Sequence, residues 1–495
     1  MLARFLIAFL AVCVATPALA QAKLPDTPEA WRTATLEDLT AIHDILRDNS
    51  PAMLVDRDSA GFRRWLNDGL AQAREGLPKV RDATSYYFEM TGYVNGFRDE
   101  HIQWGLAGRG VNLDWVAWPD FVLRWRDGRY EVAYSAPDRA DLPPLGASLI
   151  SCDGKSVEDV VRSHDRYDGD LTLASERYFW APFLLIDNGD PFVARPASCV
   201  FSAGGVTRAY SLHWTRPTGE QIRASLVSFA HTQASLDVQP WDGRGWWITV
   251  PSMNGDQDWN GFYAKVQAHL AQLRSSDLVV IDVRGNSGGD STFGDRLLRL
   301  LWGDAMVDAR APDLGPTLWR VTKINRDNWA QRVEQVHQSA QTSADEKRDV
   351  DEIMTRYDRA LKAGEPTFML DDRPPSARPP AGANFMHGRV VVLTDYACTS
   401  ACLDLMDEAT ALPSVVQAGT ETSADTIFME LTQAPTLPSG LSQLSFGHKA
   451  WIRRPRGSNI PYSPAASLTW RGRPTDDAGE RQWLAQALAT GAAGR

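Results

Sequence analysis

Val390–Leu412, VVVLTDYACTSACLDLMDEATAL, is the stretch on which the fold turns. Its first four residues, Val390, Val391, Val392 and Leu393, make an apolar, largely β-branched run that stops at Thr394-Asp395. Cys402, Leu405, Met406 and Ala409 then recur at helical spacing just after Ser400. The reading is strand, tight turn, helix, with Ser400 at the helix start. A hydroxyl at that point lies beside unpaired backbone N–H groups and the positive end of the helix dipole. Such a setting can hold the oxyanion formed when an acyl carbonyl is attacked. Serine is equally a favoured N-cap residue, so the stretch by itself leaves Ser400 readable as nucleophile or as cap.

Outward from this stretch the pattern is α/β. Trp246–Val250 reads as a strand, followed by a helix with Phe262, Val266, Leu270 and Leu273 on one face, and by a buried-looking strand at Leu278–Val283. The turn Arg284-Gly285-Asn286-Ser287-Gly288-Gly289 comes next, then a helix bearing Phe293, Leu297, Leu300 and Leu301. Strands alternating with helices imply a mostly parallel sheet. Glycines in such a turn let backbone N–H groups approach a ligand closely. Neither phosphate-binding pattern, G-x-x-x-x-G-K-[ST] or G-x-G-x-x-G, is present, which argues against a nucleotide.

The remaining chain frames this core. Residues 27–94 are helical in pattern, with Leu36, Leu39, Ile42, Ile45 and Leu46 on one face and Phe62, Trp65, Leu66, Leu70 and Ala73 on another. The helical region gives way to a short strand at Asp99-Glu100-His101, the first candidate chemistry in the chain. His43, His269 and His337 sit in ordinary amphipathic or polar surroundings, and His448 is the other histidine of interest. Residues 111–222 are β-rich, with hairpins about Asp127-Gly128 and Gly204-Gly205. Between them Pro144–Val161 reads as strand, Asp-Gly turn and helix start, a unit able to take a peptide at a sheet edge or to serve as scaffold. A charged helical stretch over 311–368 and a Pro-rich connector over 373–380 interrupt the α/β pattern. A β-rich tail and a final helix with Trp483, Leu484 and Leu488 close the chain.

Residues 1–20 have a basic start (Arg4), an apolar run from Phe5 to Val14 and a small-x-small end at Ala18-Leu19-Ala20, the pattern of a secretory signal peptide. Its removal would start the mature chain at Gln21, leave 475 of 495 residues and take the formal net charge from −11 to −12. That length allows two to four domains, in roughly the usual size range. An acidic chain without a Lys/Arg run is a poor partner for nucleic acid or an anionic membrane, and no later apolar run reaches membrane-span length. Four cysteines remain after cleavage: Cys152, Cys199, Cys398 and Cys402. An even number in an exported chain points to disulfides, and a single C-x3-C without a second Cys/His cluster is a weak zinc pattern. No metal or cofactor is therefore expected. Cys398 and Cys402 flank Ser400, and a bridge between them is expected provided Cys398 lies outside the helix. Residues four apart in a regular helix keep their Cβ atoms about 5–6 Å apart, too far for a disulfide. Cys152 and Cys199 would then pair with each other or stay free.

Three separated segments together resemble the S41 family of serine peptidases, the tail-specific and tricorn-core group. Asp99-Glu100-His101 is similar to the family's D-G-H-T segment, LVVIDVRGNSGG (278–289) to its hydrophobic-D-x-R-G-N-x-G-G segment, and Val391–Ala401 to its strand leading into [ST]-S-A. Gly419-Thr420 fits as well. The resemblance implies a ClpP/crotonase-like ββα superhelix catalytic domain with a helical N-terminal part and a PDZ-like module, and Pro144–Val161 looks like a fragment of the latter. It implies Ser400 as nucleophile, His101 as general base, and the Gly288 and Ala401 N–H groups as the oxyanion hole. One branch of the family places a Lys base about 25 residues beyond the serine, but position 425 here is Asp425. The other branch uses a distant Glu to orient the histidine, and none lies between Glu430 and Glu480. Asp425 and Glu430 are the candidates for that role. Glu100 is less favoured, because neighbouring side chains on a strand point to opposite faces, and a backbone carbonyl stays possible.

The expectation is an exported, periplasmic or secreted serine peptidase acting on proteins or peptides. A degenerate S41-like binder of peptides or apolar ligands is the alternative. The expected divisions are 1–20 leader, 21–105 helical region ending in the His101 segment, 106–225 β-rich PDZ-like region, 226–310 first catalytic part, 311–385 helical insertion and connector, and 386–495 second catalytic part. The oligomeric state is not legible in the sequence.

Overall fold

The Val-rich strand 389–394 is an interior strand of a five-stranded sheet, and its position follows from being apolar on both faces. The computed structural model describes residues 24–107, 115–137, 139–227, 234–338, 342, 344–370, 380–433, 436–473 and 475–489. The leader reading at 1–20 and all but the last residue of the Pro-rich connector at 373–380 lie outside these residues. Strand order in the sheet is 415–419, 389–394, 278–282, 245–249, 237–241. The first four strands run parallel, as the strand-helix alternation required, and 237–241 closes the edge as an antiparallel hairpin.

Alternation along each strand sends side chains to two different cores. Val279, Ile281, Val390 and Val392 meet Leu297, Leu301, Leu405 and Met406 from the helices Ser291–Trp302 and Ala401–Ala409. On the opposite face Trp247, Val280, Val391 and Leu393 meet Leu484 of the C-terminal helix Asp477–Ala489. The helix that follows Ser400 is thus clamped on its apolar side, and its N-terminus is fixed relative to the sheet.

Four distant stretches of chain build a second sheet. Strand 442–451 pairs with 103–106 and 317–320 on one side and with 428–433 on the other, and 367–370 extends it beyond 317–320. The helices Pro28–Asn49, Ala60–Gly76 and Ala83–Asn95 pack on one face through Leu39, Ile42, Leu46, Phe62, Leu66 and Met90, against Phe428, Leu444 and Phe446. The paired helices Lys323–Gln338 and Ala344–Ala363 cover Trp319 and His448 on another face with Trp329 and Tyr357. The charged helical stretch read as an insertion therefore also contributes two strands to a sheet that begins directly after His101.

A third, six-stranded sheet is formed by 121–126, 129–135, 148–152, 198–203 and 206–211, with 155–156 paired to 148–152. Both hairpins expected from their Gly turns are present. Cys152 and Cys199 are register partners on adjacent strands and are joined by a disulfide. The short helix Ala174–Trp180 of this unit reaches the central sheet: Tyr178 stacks on Tyr396, four residues before Ser400, with ring centroids 5.0 Å apart. No helix among the described residues is long and apolar enough to cross a membrane.

Candidate active site

Ser400 occupies the N-cap position of Ala401–Ala409, and its side chain makes no capping hydrogen bond. Its backbone is held at φ 52° and ψ −121°, a region that side-chain-bearing residues avoid. Both facts bear on the two sequence readings. A serine kept for capping would have an extended backbone and would accept an N–H of the first turn. Here the hydroxyl is turned away from that task at a cost in backbone strain.

The turn is held from three sides. Asp395 accepts the Gly285 N–H at 3.0 Å through both carboxylate oxygens, and the Ala397 N–H at 3.0 Å. The Thr399 N–H donates to the Asn286 carbonyl at 3.3 Å, while the fully buried Asn286 side-chain amide donates to the Val250 carbonyl at 2.9 Å. Cys398 is bonded to Cys402 with Cα atoms 5.3 Å apart. The bridge forms because Cys398 precedes the helix, as its geometry demanded. The Ser423 N–H donates to the Cys398 carbonyl at 3.0 Å, bringing the segment that carries Asp425 and Thr426 against the turn.

Gly288 lies directly over Ser400. A Cβ at Gly288 would stand 2.8 Å from Ser400 Cβ and 3.1 Å from the Ala401 nitrogen, and the residue has φ 95°, so only glycine fits this close approach. The Ala401 N–H belongs to the first helical turn and has no intrahelical acceptor, the state required of an oxyanion donor. The Gly288 N–H is in a different state, since it already donates to Asn286 Oδ1 at 2.9 Å.

The turn that carries His101 meets the residue preceding Ser400 just ahead of the second sheet's strand 103–106. Its segment leaves the helix Ala83–Asn95, whose start is fixed by a reciprocal cap in which Asp82 accepts the Ser85 N–H at 2.9 Å. Residues 99–102 form a turn closed by the Ile102 N–H donating to the Asp99 carbonyl at 2.9 Å, and the strand begins only at Gln103. The strand alternation used to disfavour Glu100 therefore does not apply there. The Glu100 carboxylate accepts the Thr399 hydroxyl at 2.7 and 2.8 Å, which ties the His101 turn to the residue preceding Ser400. Arg98 anchors the other end through Asp165 at 2.6 Å.

His101 is 7% exposed. Burial pulls its pKa down, but Asp99, Glu100 and Asp425 outweigh burial and raise it to about 9. Burial raises the Glu100 carboxyl, with His101 opposing.

The two acids proposed from sequence are engaged with other partners. Asp425 accepts from Arg456 at 2.5 Å and lies 2.9 Å from Arg454 Nη1, all three side chains being at most 4% exposed. Arg456 also holds Asp407 at 2.9 Å. Asp425 acts on His101 through its charge, without a hydrogen bond to it. Glu430 pairs with Lys449 at 3.0 Å, and its charge acts on His448. His448 itself is buried among Trp319, Trp329 and Tyr357, and burial lowers its pKa to about 4. Asn286, Thr399, Thr426 and Asp99 were given no role from the sequence, although Asp99, Asn286 and Thr399 lie inside the three segments that resemble the family.

Replacing Asp425 by alanine is expected to leave two buried guanidinium groups short of a counter-charge. The loss should be about 3–5 kcal/mol, read as a fall in urea midpoint with unchanged slope. A change below about 1 kcal/mol would show that Asp407 alone satisfies the pair.

The comparisons with known proteins concern fold. No family model and no curated protein matches the sequence. Mature CPAF is similar over 93% of this chain and 96% of its own, with TM-score 0.55 and 14% identity. Mature CPAF complexed with lactacystin is similar over 93% and 97%, with TM-score 0.54 and 13% identity. An S41 protease structure from Bacteroides fragilis covers 92% of this chain and 98% of its own at TM-score 0.32 and 11% identity. The chain has the fold of mature CPAF.

Proposed function

We propose that the chain is an exported serine-type endopeptidase of the S41 kind, which hydrolyses peptide bonds in proteins or peptides through an acyl-enzyme on Ser400. The observation that carries this reading is the Ser400 backbone: a strained residue at a helix start whose hydroxyl makes no cap bond, beside Gly288 and the Ala401 N–H, which as a first-turn donor has no intrahelical acceptor. Strain of this kind costs about 1–3 kcal/mol and persists where the surrounding structure enforces it.

In the proposed cycle His101 takes the Ser400 proton as Oγ attacks the scissile carbonyl, and the carbonyl oxygen becomes an oxyanion facing the Ala401 and Gly288 N–H groups. The imidazolium then protonates the leaving amine, and water repeats the sequence on the ester. We assign residues 226–310 and 386–495 to a ClpP/crotonase-like catalytic unit, 21–105 to its helical N-terminal part, 106–225 to a PDZ-like module and 311–385 to an insertion. Support for export comes from the leader-like residues 1–20 and from two disulfides, which persist in oxidising compartments.

A second reading, a fold-retaining binder without turnover, is favoured by one observation: the Gly288 N–H is already taken by Asn286 Oδ1. Labelling with a fluorophosphonate probe separates the two. The peptidase reading expects labelling of the mature protein at Ser400, none of Ser400→Ala, and hydrolysis of a broad peptide library. A protein that takes up no probe and cleaves nothing across pH 6–10 would be the binder.

A further inference from the structure

The acid that orients His101 is the missing part of the proposed machinery, and the charged groups around the imidazole are few. Glu100 is committed to Thr399, Asp425 to Arg454 and Arg456, and Glu430 to Lys449. Glu176 acts on Glu100 by charge and accepts from Trp180 at 3.1 Å. Asp99 remains. Its Oδ1 lies 3.7 Å from His101 Nδ1, an ion-pair distance rather than a hydrogen bond, and the two side chains are 4% and 8% exposed. The Nδ1 atom has no hydrogen-bond partner among the described residues.

Asp99 is itself held. The His101 backbone N–H donates to Asp99 Oδ1 at 3.0 Å, an Asx turn that places acid and imidazole on the same side. The Thr426 hydroxyl donates to the same oxygen at 3.0 Å from the segment bonded to the Ser400 turn. The carboxylate is thus fixed by its own turn and by the strand region beyond the nucleophile, independently of the imidazole.

We infer that Asp99 is the positioning residue of His101: its carboxylate holds the proton on Nδ1 and leaves Nε2 as the atom that receives the Ser400 proton. The inference rests on the peptidase reading for its role in turnover. The proton balance is simple. Ser400 Oγ–H is broken, Nε2–H is formed, and the Nδ1 proton stays on the ring, directed at the Asp99 carboxylate. Shortening of the 3.7 Å gap by under 1 Å on substrate binding completes the hydrogen bond.

The Asx turn is the rival explanation of Asp99, and Asp99→Asn separates the two. Asparagine still accepts the His101 N–H and keeps the turn, but carries no charge. Histidine-selective NMR of the mature protein, assigned with His101→Ala, follows the imidazole directly. The expected result in Asp99→Asn is a His101 midpoint lowered by roughly one pH unit or more. Peptide hydrolysis should lose on the order of 10²-fold in kcat with KM changed little. A midpoint that does not move overturns the inference. Should the variant fail to fold, the nitrogen shifts of the unsubstituted protein above its midpoint decide: protonated Nδ1 supports Asp99, protonated Nε2 overturns it. A protein that hydrolyses nothing defeats the peptidase reading alone, because the titration still reports whether Asp99 holds the ring.

Discussion

Ser400→Ala is expected to abolish peptide hydrolysis, by about 10³-fold or more, while leaving the melting temperature within a degree or two of the parent. The first half follows from the proposed role, since no acyl-enzyme forms without Oγ. The second follows from structure: the side chain makes no cap bond whose loss would be felt, and alanine meets the same backbone strain at φ 52° as serine does. Ser400→Gly should likewise be inactive but more stable, by about 1 kcal/mol or more, because glycine relieves that strain. Calorimetry and hydrolysis on the three proteins give the answer together. A Ser400→Ala protein that melts several degrees lower, with unchanged activity, would return the residue to a cap.

The pH dependence should be displaced upward from that of an ordinary histidine. With the His101 pKa raised to about 9, the free base that accepts the Ser400 proton is scarce at pH 7, so kcat/KM should climb through a transition near pH 9. His101→Ala should lose both the activity and the transition. The same shift predicts a stability trend. A histidine whose folded pKa exceeds its unfolded value stabilises fully below about pH 6.5, and that contribution is lost as pH rises through the folded value. Between about pH 6.5 and 9 stability should therefore fall by up to about 1.4 kcal/mol per pH unit, and burial of Glu100 acts in the same direction at lower pH. Denaturant midpoints at pH 6.5 and 9 test this: a fall in the parent that flattens in His101→Ala is expected, and equal slopes would remove His101 as its source.

The outcome for Asp425 and Glu430 shows where reading the chain stopped. Both are candidates by residue type in the segment beyond Ser400, but position along the chain does not say which charges meet. Arg454 and Arg456 surround Asp425 through the pairing of 428–433 with 442–451, and the same pairing puts Glu430 beside Lys449. Glu100 was set aside because strand alternation was assumed at 99–101, where the chain makes a turn instead.

The sequence by itself determined the elements whose signal is local. Short continuous apolar runs gave the parallel strands 278–282 and 389–394, helical spacing gave the helix after Ser400, and glycine turns gave the hairpins and the Gly288 loop. The Cys398–Cys402 bridge was legible for the same reason, because strand, turn and helix together put Cys398 outside the helix. Tertiary structure alone decided what depends on partners remote in the chain. Strand 103–106 pairs with 442–445 across more than three hundred residues, and that pairing, with the Thr399–Glu100 hydrogen bond, brings the turn that carries His101 against the residue preceding Ser400. Tertiary packing also decided that the Ser400 side chain makes no cap bond. Residue type allows a cap, and only the backbone angle imposed by the Gly288 loop and the clamped helix turns the hydroxyl away from it.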